Sequence, residues 1–403
     1  MNENYPISIS MTPSFYSDDD FILITQLKHL SRQTVKDFDV WLFDIHYRKR
    51  KNRIPELAEK LKLDIKHVPY LPQTNVAKRL DCAIFNTGYL FSKSKRNIRL
   101  SCYRYVRENF IERTLEIPEE KNVDYYFHTL GPDVSERKEL MEQGLTFTEA
   151  NYKCKRHLDI FDYENFDINW DLIGKEGLWD EEGLVIREGF DNPPNSYQFW
   201  ACSYDKDNLD SQCKGCFGNI GWNRDNFLAI NGTNEVITNF IHFEDLDFTV
   251  RADLAGQRVA RLSNLMYRVH HAYGSFSQRS NVNPDTPFMP LCPRCVNQVA
   301  EEFSNMQPIL YHRVASNQFH VEFDDNVLIC KTCKLVYPIV KKSYDEIWHY
   351  YHNNNVTQAP ILEKYKIGRN LRILAEDLDK QTTLQDKIDI FADSWYNKRY
   401  YKK

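Results

Sequence analysis

Three carboxylates, Glu244, Asp245 and Asp247, lie within four positions where the pattern predicts the first turn of a helix. A carboxylate beside a hydroxyl group can accept its proton while the oxygen attacks another centre, which is general base catalysis. Acids also collect at helix N-termini because the helix dipole favours negative charge there. Asp247 precedes Arg251 by four residues, a spacing that predicts an ion pair along the helix. The acids alone therefore leave a catalytic and a structural interpretation open.

Cysteines form the second chemical pattern in the chain. Two CxxC pairs are separated by 34 residues. Each pair can form a tight turn whose backbone amides face the sulfurs, and two such turns make a tetrahedral zinc site. All four positions are filled by protein, so the site would be structural rather than catalytic. The predicted ligands are Cys292, Cys295, Cys330 and Cys333.

A further group of cysteines precedes the acidic segment and indicates a second metal site. Cys202, Cys213 and Cys216 would supply three ligands, with Cys154 or His157 as the fourth. In a chain without a secretion signal, closely spaced cysteines favour metal binding over disulfides.

The elements that position these residues follow from the apolar pattern. Short apolar runs predict strands at Ile7–Met11, Asp39–Asp44 and Lys66–Val68. Helical patterns lie between them, and the one from Asn75 to Thr87 is expected to end at Gly88. Strands alternating with helices of this length predict a mainly parallel α/β sheet with right-handed crossovers.

The end of the chain predicts two more helices. Leu371, Leu374 and Leu378 form one apolar stripe, and Thr383 with Asp386 predicts the start of a second helix.

Bulk composition excludes some classes of protein. The 403 residues are 42% hydrophobic, enough for one large core plus an appendage, and the formal net charge is −5. There is no global basic excess of the kind that nucleic-acid binding favours. No apolar run approaches the roughly 18 residues of a membrane span, and MNENYPISIS lacks a signal-peptide pattern. We therefore expect a cytoplasmic protein.

The segment from residue 215 to 256 also carries a recognisable pattern around the acids. It resembles the acceptor-side half of GT-A glycosyltransferases, in the galactosyltransferase-like form G…R..F..ING..E…ED.D…R…G. The matching positions are Gly218, Gly221, Arg224, Phe227, Asn231, Gly232, Glu235, Glu244, Asp245, Asp247, Arg251 and Gly256.

The N-terminal segment resembles the beginning of family 2 glycosyltransferases, with landmarks at Thr12-Pro13, Gln33-Thr34, Phe38 and Asp44. The two resembling segments follow one another in the order that one GT-A fold requires. The resemblance implies a glycosyltransferase domain over residues 1–286, with a nucleotide-binding half over 1–110 and an acceptor half over 111–286. A zinc-ribbon module over 287–340 and a helical tail over 341–403 would follow.

The resemblance also implies residue roles. Asp245 would be the base that deprotonates the acceptor hydroxyl, and Glu244 would orient the acceptor. Trp222 could stack on a sugar ring, with core packing as the alternative, and Glu235 would also contact the acceptor. Residues implied on the donor side are Thr12, Pro13, Asp44, Arg79, Arg104 and His271.

One departure from the family concerns the metal on the donor diphosphate. Family members usually carry Asp-x-Asp after the fourth strand, which here is predicted at Asn97–Ser101 and continues without paired acids. Mn²⁺ or Mg²⁺ could be held by other acids, such as Asp159 and Asp162, or by Asp245 with a histidine. Alternatively, Arg99, Arg104 and Arg107 could neutralise the departing diphosphate, and we favour this weakly metal-dependent or metal-independent form.

The sequence thus predicts an inverting transferase that moves a sugar from a nucleotide donor, most simply a UDP-sugar, to a hydroxyl. The acceptor could be a glycan, a lipid-linked sugar, a protein or a hydroxylated base in nucleic acid. The zinc ribbon and the basic, aromatic end NKRYYKK keep the nucleic-acid acceptor open. The alternative is an inactive GT-A-like scaffold that acts as a zinc-ribbon binding or assembly protein.

Overall fold

The computed structural model describes most of the N-terminal half of the chain and parts of the remainder. The described residues are 5–12, 20–44, 46–69, 81–101, 104–130, 134–146, 149–150, 153–154, 161–162, 164–165, 167–171, 208–211, 213, 220–233, 244–269, 306–310, 326–330, 336–338 and 371–394.

Fourteen strands lie in the described residues and form three sheets. Their bounds are β1 Ile7–Met11, β2 Phe38–Asp44, β3 Ile65–Pro69, β4 Arg96–Leu100, β5 Arg104–Val106, β6 Asn122–Leu130, β7 Phe161–Asp162, β8 Asp167–Ile168, β9 Asn208–Ser211, β10 Ile220–Asn223, β11 Val259–Val269, β12 Met306–Leu310, β13 Asn326–Cys330 and β14 Val336–Pro338.

Ten helices are described with them. Their bounds are α1 Asp20–Ser31, α2 Tyr47–Arg50, α3 Arg53–Leu61, α4 Asp81–Phe91, α5 Phe110–Leu115, α6 Val134–Glu142, α7 Arg224–Ala229, α8 Glu244–Leu254, α9 Leu371–Asp379 and α10 Leu384–Asp393.

The large sheet has nine strands in the order β3-β2-β1-β4-β10-β6-β11-β5, with β9 also on β11. Strands β3, β2, β1 and β4 are parallel, and β10 is antiparallel to both β4 and β6. Strand β11 runs parallel to β6, while β5 and β9 are antiparallel additions to it. A parallel sheet interrupted by one antiparallel strand in this position is the GT-A architecture, so the predicted fold class is confirmed.

Alternating side chains of the sheet feed two hydrophobic cores, one on each face. On β2, Val40 and Leu42 face the core that includes helix α1, whereas Trp41 and Phe43 face the opposite core. This second core also contains Leu371 of α9 and Phe391 of α10. The two helices predicted near the end of the chain therefore pack on the same sheet as the N-terminal strands.

The predicted strands at Ile7–Met11 and Asp39–Asp44 are confirmed within one residue, and Thr383 caps α10 by accepting from the Asp386 amide. The predicted helix end at Gly88 is wrong, because α4 continues to Phe91. The reason for the glycine is tertiary. A Cβ at Gly88 would lie 2.3 Å from Ser10 Oγ on β1, so Gly88 lets the helix approach the strand closely.

Two smaller sheets complete the described structure. Strands β12, β13 and β14 form an antiparallel sheet, and β7 pairs with β8. Among the described helices, none is long and apolar enough to cross a membrane.

The close approach at Gly88 predicts that Gly88→Ala destabilises the fold. Alanine normally improves a helix interior by about 1 kcal/mol, but overpacking costs about 1–3 kcal/mol. We expect a net loss of up to about 2 kcal/mol in the free energy of unfolding, measured by urea denaturation. Adding Ser10→Gly removes both clashing atoms, so the double variant should recover more stability than the two single changes predict by addition.

Lys387 predicts a rise in stability at alkaline pH. Its ammonium is buried against the Phe91 carbonyl at 2.8 Å, and burial lowers its pKa to about 8. Between about pH 8 and 10.5, Lys387 is therefore protonated in the unfolded chain and deprotonated in the folded protein. Across that window, this residue should raise the free energy of unfolding by about 3 kcal/mol.

The comparison of wild type with Lys387→Met isolates this contribution. The difference in unfolding free energy between them should change between pH 8 and 10.5. If unfolding free energy plotted against pH gave parallel curves for the two proteins, Lys387 would not be the source of the rise. Lys380→Met is the matched control, because the Lys380 side chain is 70% exposed. The unfolding free energy of that variant should rise with pH as it does in wild type.

Candidate donor and catalytic site

The carboxyl ends of three adjacent strands bring the first group of predicted residues together. Thr12 directly follows β1, Asp44 is the last residue of β2, and Ser101 directly follows β4. The order β2-β1-β4 and the parallel registers place all three at one edge of the sheet. Open α/β sheets bind ligands at this edge.

Asp44 is the most heavily contacted carboxylate at this edge. Its Oδ1 accepts hydrogen bonds from the His46 amide at 2.8 Å and Arg50 Nη1 at 2.9 Å. Its Oδ2 lies 3.0 Å from Nε2 of His67 on the neighbouring strand. Arg50 also donates from Nε to Asp20 at 2.6 Å, which ties the beginning of α1 to the end of β2. The network fixes the carboxylate and fixes His67 with it.

The environment of Asp44 favours its charged form. Burial alone would raise the pKa of Asp44, but the His67 hydrogen bond and the positive charge of Arg50 outweigh burial and lower that pKa. Asp44 is therefore an anion at neutral pH, although none of its surface is exposed.

Arginines lie beside the end of β4. Arg104 begins β5 and donates from Nη1 to Ser101 Oγ at 3.1 Å. Arg99 lies on β4 with its guanidinium carbon 3.2 Å from the centre of the Phe85 ring. Arg107 lies farther along the chain, over the Trp170 ring. Among the described residues, no group of three histidines, cysteines or acids is placed to hold a metal ion.

The predicted catalytic acids begin helix α8, since Glu244 and Asp245 are its first two residues. The helix ends at Leu254, and β11 then begins at Val259 beside Asn122, the first residue of β6. The end of the helix therefore lies near the amino edge of the parallel strands. Its 11 residues span roughly 16 Å, which directs Asp245 back toward the carboxyl edge.

A buried ion pair anchors α8, and the predicted Asp247–Arg251 contact is confirmed. Arg251 Nε donates to Asp247 at 2.9 Å, and both side chains are completely buried. The same guanidinium donates to the carbonyls of Ile230 and Gly232, which follow α7. One cation thus joins the helix of the predicted base to the preceding loop.

That loop turns through two consecutive left-handed residues, Asn231 and Gly232. A Cβ at Gly232 would lie 2.3 Å from Asn86 Oδ1 of α4, so glycine is required for space as well as for backbone conformation. Asn231 Oδ1 accepts from the Leu371 amide at 2.9 Å, which connects the loop to α9. The Asn-Gly pair of the motif is therefore a structural corner.

Other motif residues serve the same scaffold. Arg224 forms two hydrogen bonds to Asp379 of α9, at 2.6 and 3.0 Å. Trp222 is completely buried and donates from its indole to Gln257 at 2.8 Å. Its ring lies 5.0 Å from that of Phe248 on α8. This is the core packing that the sequence left as the alternative to sugar stacking.

Cys154 and Cys213 are both buried and form no disulfide bond with one another. Cys213 Sγ donates to the Gln257 carbonyl at 3.4 Å, and burial raises the pKa of its thiol. The second predicted zinc site remains a prediction, because Cys202 and Cys216 lie outside the described residues.

The predicted zinc ribbon is described only through its strands. Cys330 is the last residue of β13, and Ile329 pairs with Val336 of β14. Cys330 thus ends one strand of an antiparallel pair, while Cys333 lies outside the described residues. Four thiolates are a suitable ligand set for Zn²⁺, so the residues fit the metal.

Several predicted residues cannot be located in the structure. Outside the described residues lie Pro13, Arg79, Glu235, His271, Cys202, Cys216, Cys292, Cys295 and Cys333. For Glu244, Asp245 and Cys330, only the backbone position is described.

A comparison with protein families gives one match. The family model described as Trm112p-like protein, a zinc-ribbon family, matches residues 199–341, about a third of the chain. The match includes both CxxC pairs of the predicted ribbon. It begins well before that ribbon and also spans β10, α8 and β11 of the large sheet. Comparison with curated proteins finds no match.

Comparison with solved structures finds several chains with some likeness, of which two follow. S. aureus TarS 1-349 in complex with UDP is 12% identical with a TM-score of 0.39, covering 66% of this chain and 60% of that one. Mannosyltransferase PcManGT from Pyrobaculum calidifontis, in complex with GDP-Man and Mn²⁺, is 9% identical with a TM-score of 0.39, covering 98% and 82%. These scores are too low to carry an argument, and the fold rests on the strand order of this chain.

Sequence reasoning missed the residues that hold Asp44. Arg50 and His67 carry no pattern of their own, and His67 meets Asp44 across 23 positions of the chain. Asn86 was also missed, although its side chain both accepts from the Thr233 amide and donates to the Thr233 carbonyl. Only the carboxyl-edge rule for parallel strands could have suggested that a residue near the end of β3 faces Asp44.

The buried ion pair predicts a large difference between two arginines close in sequence. Arg251→Met removes the donor to Asp247 and to two carbonyls, so we expect a loss of about 3–5 kcal/mol in unfolding free energy. Arg258→Met is the matched control, because Arg258 pairs with Asp253 at 3.4 Å with 42% of its side chain exposed. Its loss should stay below about 1 kcal/mol. Equal losses in chemical denaturation would contradict the anchoring role of Arg251.

Proposed function

We propose that this protein is an inverting glycosyltransferase that moves a sugar from a nucleotide-diphosphate donor to an acceptor hydroxyl. Asp245 is the proposed general base and Glu244 the acceptor-orienting acid. The single observation that carries the proposal is the anchoring of α8, whose first turn carries both acids, within a sheet of GT-A order.

The donor is proposed to bind across the carboxyl ends of β1, β2 and β4. The ordered anion Asp44 and the adjacent Thr12 support a nucleoside subsite there. Pro13, Arg79 and His271 complete the proposed donor contacts from the sequence pattern. A UDP-sugar is the simplest donor.

The leaving diphosphate needs positive charge to depart. Arg104, beside the end of β4, supports direct neutralisation by a guanidinium in place of a metal held by paired acids. Mn²⁺ or Mg²⁺ would supply the same Lewis-acid chemistry if acids elsewhere in the chain bind it. Four cysteines, Cys292, Cys295, Cys330 and Cys333, are proposed to bind a structural Zn²⁺.

One observation favours a second candidate function. The chain after β4 reads Ser101-Cys102-Tyr103, with no carboxylate pair for a diphosphate-bound metal. A scaffold that has lost catalysis and works as a zinc-ribbon binding or assembly protein would account for that loss. The anchored acids of α8 favour the enzyme.

Hydrolysis of nucleotide sugars in water tests the enzyme proposal without knowledge of the acceptor. The full chain is incubated with UDP-, GDP- and other nucleotide sugars, with and without Mn²⁺, and release of the nucleotide diphosphate is measured. We expect slow hydrolysis of one donor class, and Asp245→Asn should lower its rate by about 10²–10⁴-fold because the base is lost.

Asp253→Asn is the matched control, because Asp253 lies on the same helix and its Oδ1 accepts from the Cys213 amide, which asparagine can also do. This variant should keep the wild-type rate. If wild type and Asp245→Asn are equally inert across the donor panel, the binding scaffold becomes the better account.

A further inference from the structure

The carboxylate at the end of β2 is already engaged by this chain. Both Asp44 oxygens accept hydrogen bonds, from His46, Arg50 and His67, and the side chain is completely buried. Its geometry suits a residue that positions its neighbours more than one that meets a ligand directly.

His67 is the neighbour with unused capacity. Within the part of the chain that the structure describes, its Nδ1 is buried and has no hydrogen-bond partner, and only 8% of the side chain is exposed. The Tyr47 ring packs against the imidazole of His67 at a tilt of 40°, with ring centres 4.4 Å apart. Buried polar atoms without partners are uncommon, and a missing ligand is one physical reason for them.

The hydrogen bond to Asp44 determines what Nδ1 can do. Asp44 has no proton to give, because its network lowers its pKa. The proton of a neutral His67 must then reside on Nε2, pointing at Asp44. In this neutral form, Nδ1 carries a lone pair and acts as a hydrogen-bond acceptor.

We propose that His67 recognises the nucleobase of the donor through a hydrogen bond at Nδ1. Asp44 is the positioning residue that sets the tautomer of His67. An acceptor at Nδ1 fits a base that presents a ring N–H, as uracil does at N3 and guanine does at N1. Cytosine and adenine present a lone pair at the equivalent ring nitrogen and would face the Nδ1 lone pair. The inference rests on the proposed donor site and adds its base preference.

Binding of UDP and CDP to the full chain tests the inference, because these two nucleotides differ only at the N3–C4 edge of the base. Isothermal titration calorimetry should show UDP binding about tenfold or more tighter than CDP. His67→Phe should bring the two affinities within about twofold of one another. His46→Gln is the control, since the amide of residue 46 still contacts Asp44, and it should keep the wild-type ratio.

A second variant gives a result that a merely structural role would not produce. In Asp44→Asn, the amide oxygen must face the two donors, Arg50 and the His46 amide, which directs the NH₂ group at Nε2 of His67. Nε2 must then accept, so the proton of His67 moves to Nδ1. We expect the preference to reverse, with CDP binding more tightly than UDP.

The outcomes separate the two proposals. A wild-type ratio near one, a preference for CDP, or a UDP preference that survives His67→Phe would overturn the role of His67 while leaving the donor site standing. Absence of binding by UDP, CDP, GDP and ADP would overturn both. Thermal melts identify a variant that fails to fold. In that case, the ratio of UDP to CDP affinity in wild type and in the other variant tests the role of His67.

Discussion

The position of helix α8, which carries the proposed base, depends on the buried guanidinium of Arg251. Burying an ion pair costs desolvation, and the cost is recovered only when the geometry is good and the remaining donors are satisfied. Arg251 meets that condition with Asp247 and the carbonyls of Ile230 and Gly232. Since one guanidinium must meet all these acceptors at once, the contacts help to fix where α8 lies. A helix held this way can present an acid at a defined place.

The same constraint extends to the end of the chain. The corner at Asn231 is held from outside by the Leu371 amide, and Arg224 is held by Asp379. Helices α9 and α10 also fill the core beneath β2 and α4. They are therefore part of the scaffold that supports the segment carrying the proposed base.

Whether the sequence predicted a feature depended on how far apart in the chain its residues lie. Strand β1, the Asp247–Arg251 pair and the Thr383 cap each depend on residues within a few positions, and all three are confirmed. Gly88 was misread because its partner, Ser10, is 78 positions away. The network of Asp44 with His67 was invisible for the same reason. The family pattern marked Trp222 as important, but only burial shows that its ring packs against α8.

The carboxyl edge combines a fixed anion with cations, and the two have different consequences. Asp44 and Asp20 are each paired with arginines, Arg50 for both and Arg53 also for Asp20, so these acids are satisfied within the protein. An acid so paired is poorly suited to capture a divalent ion, because the metal would have to displace a guanidinium. At the carboxyl end of β4, in contrast, the described residues include the cations Arg99 and Arg104. If the proposed donor binds at this edge, we therefore expect its phosphates toward β4 and its base toward β3.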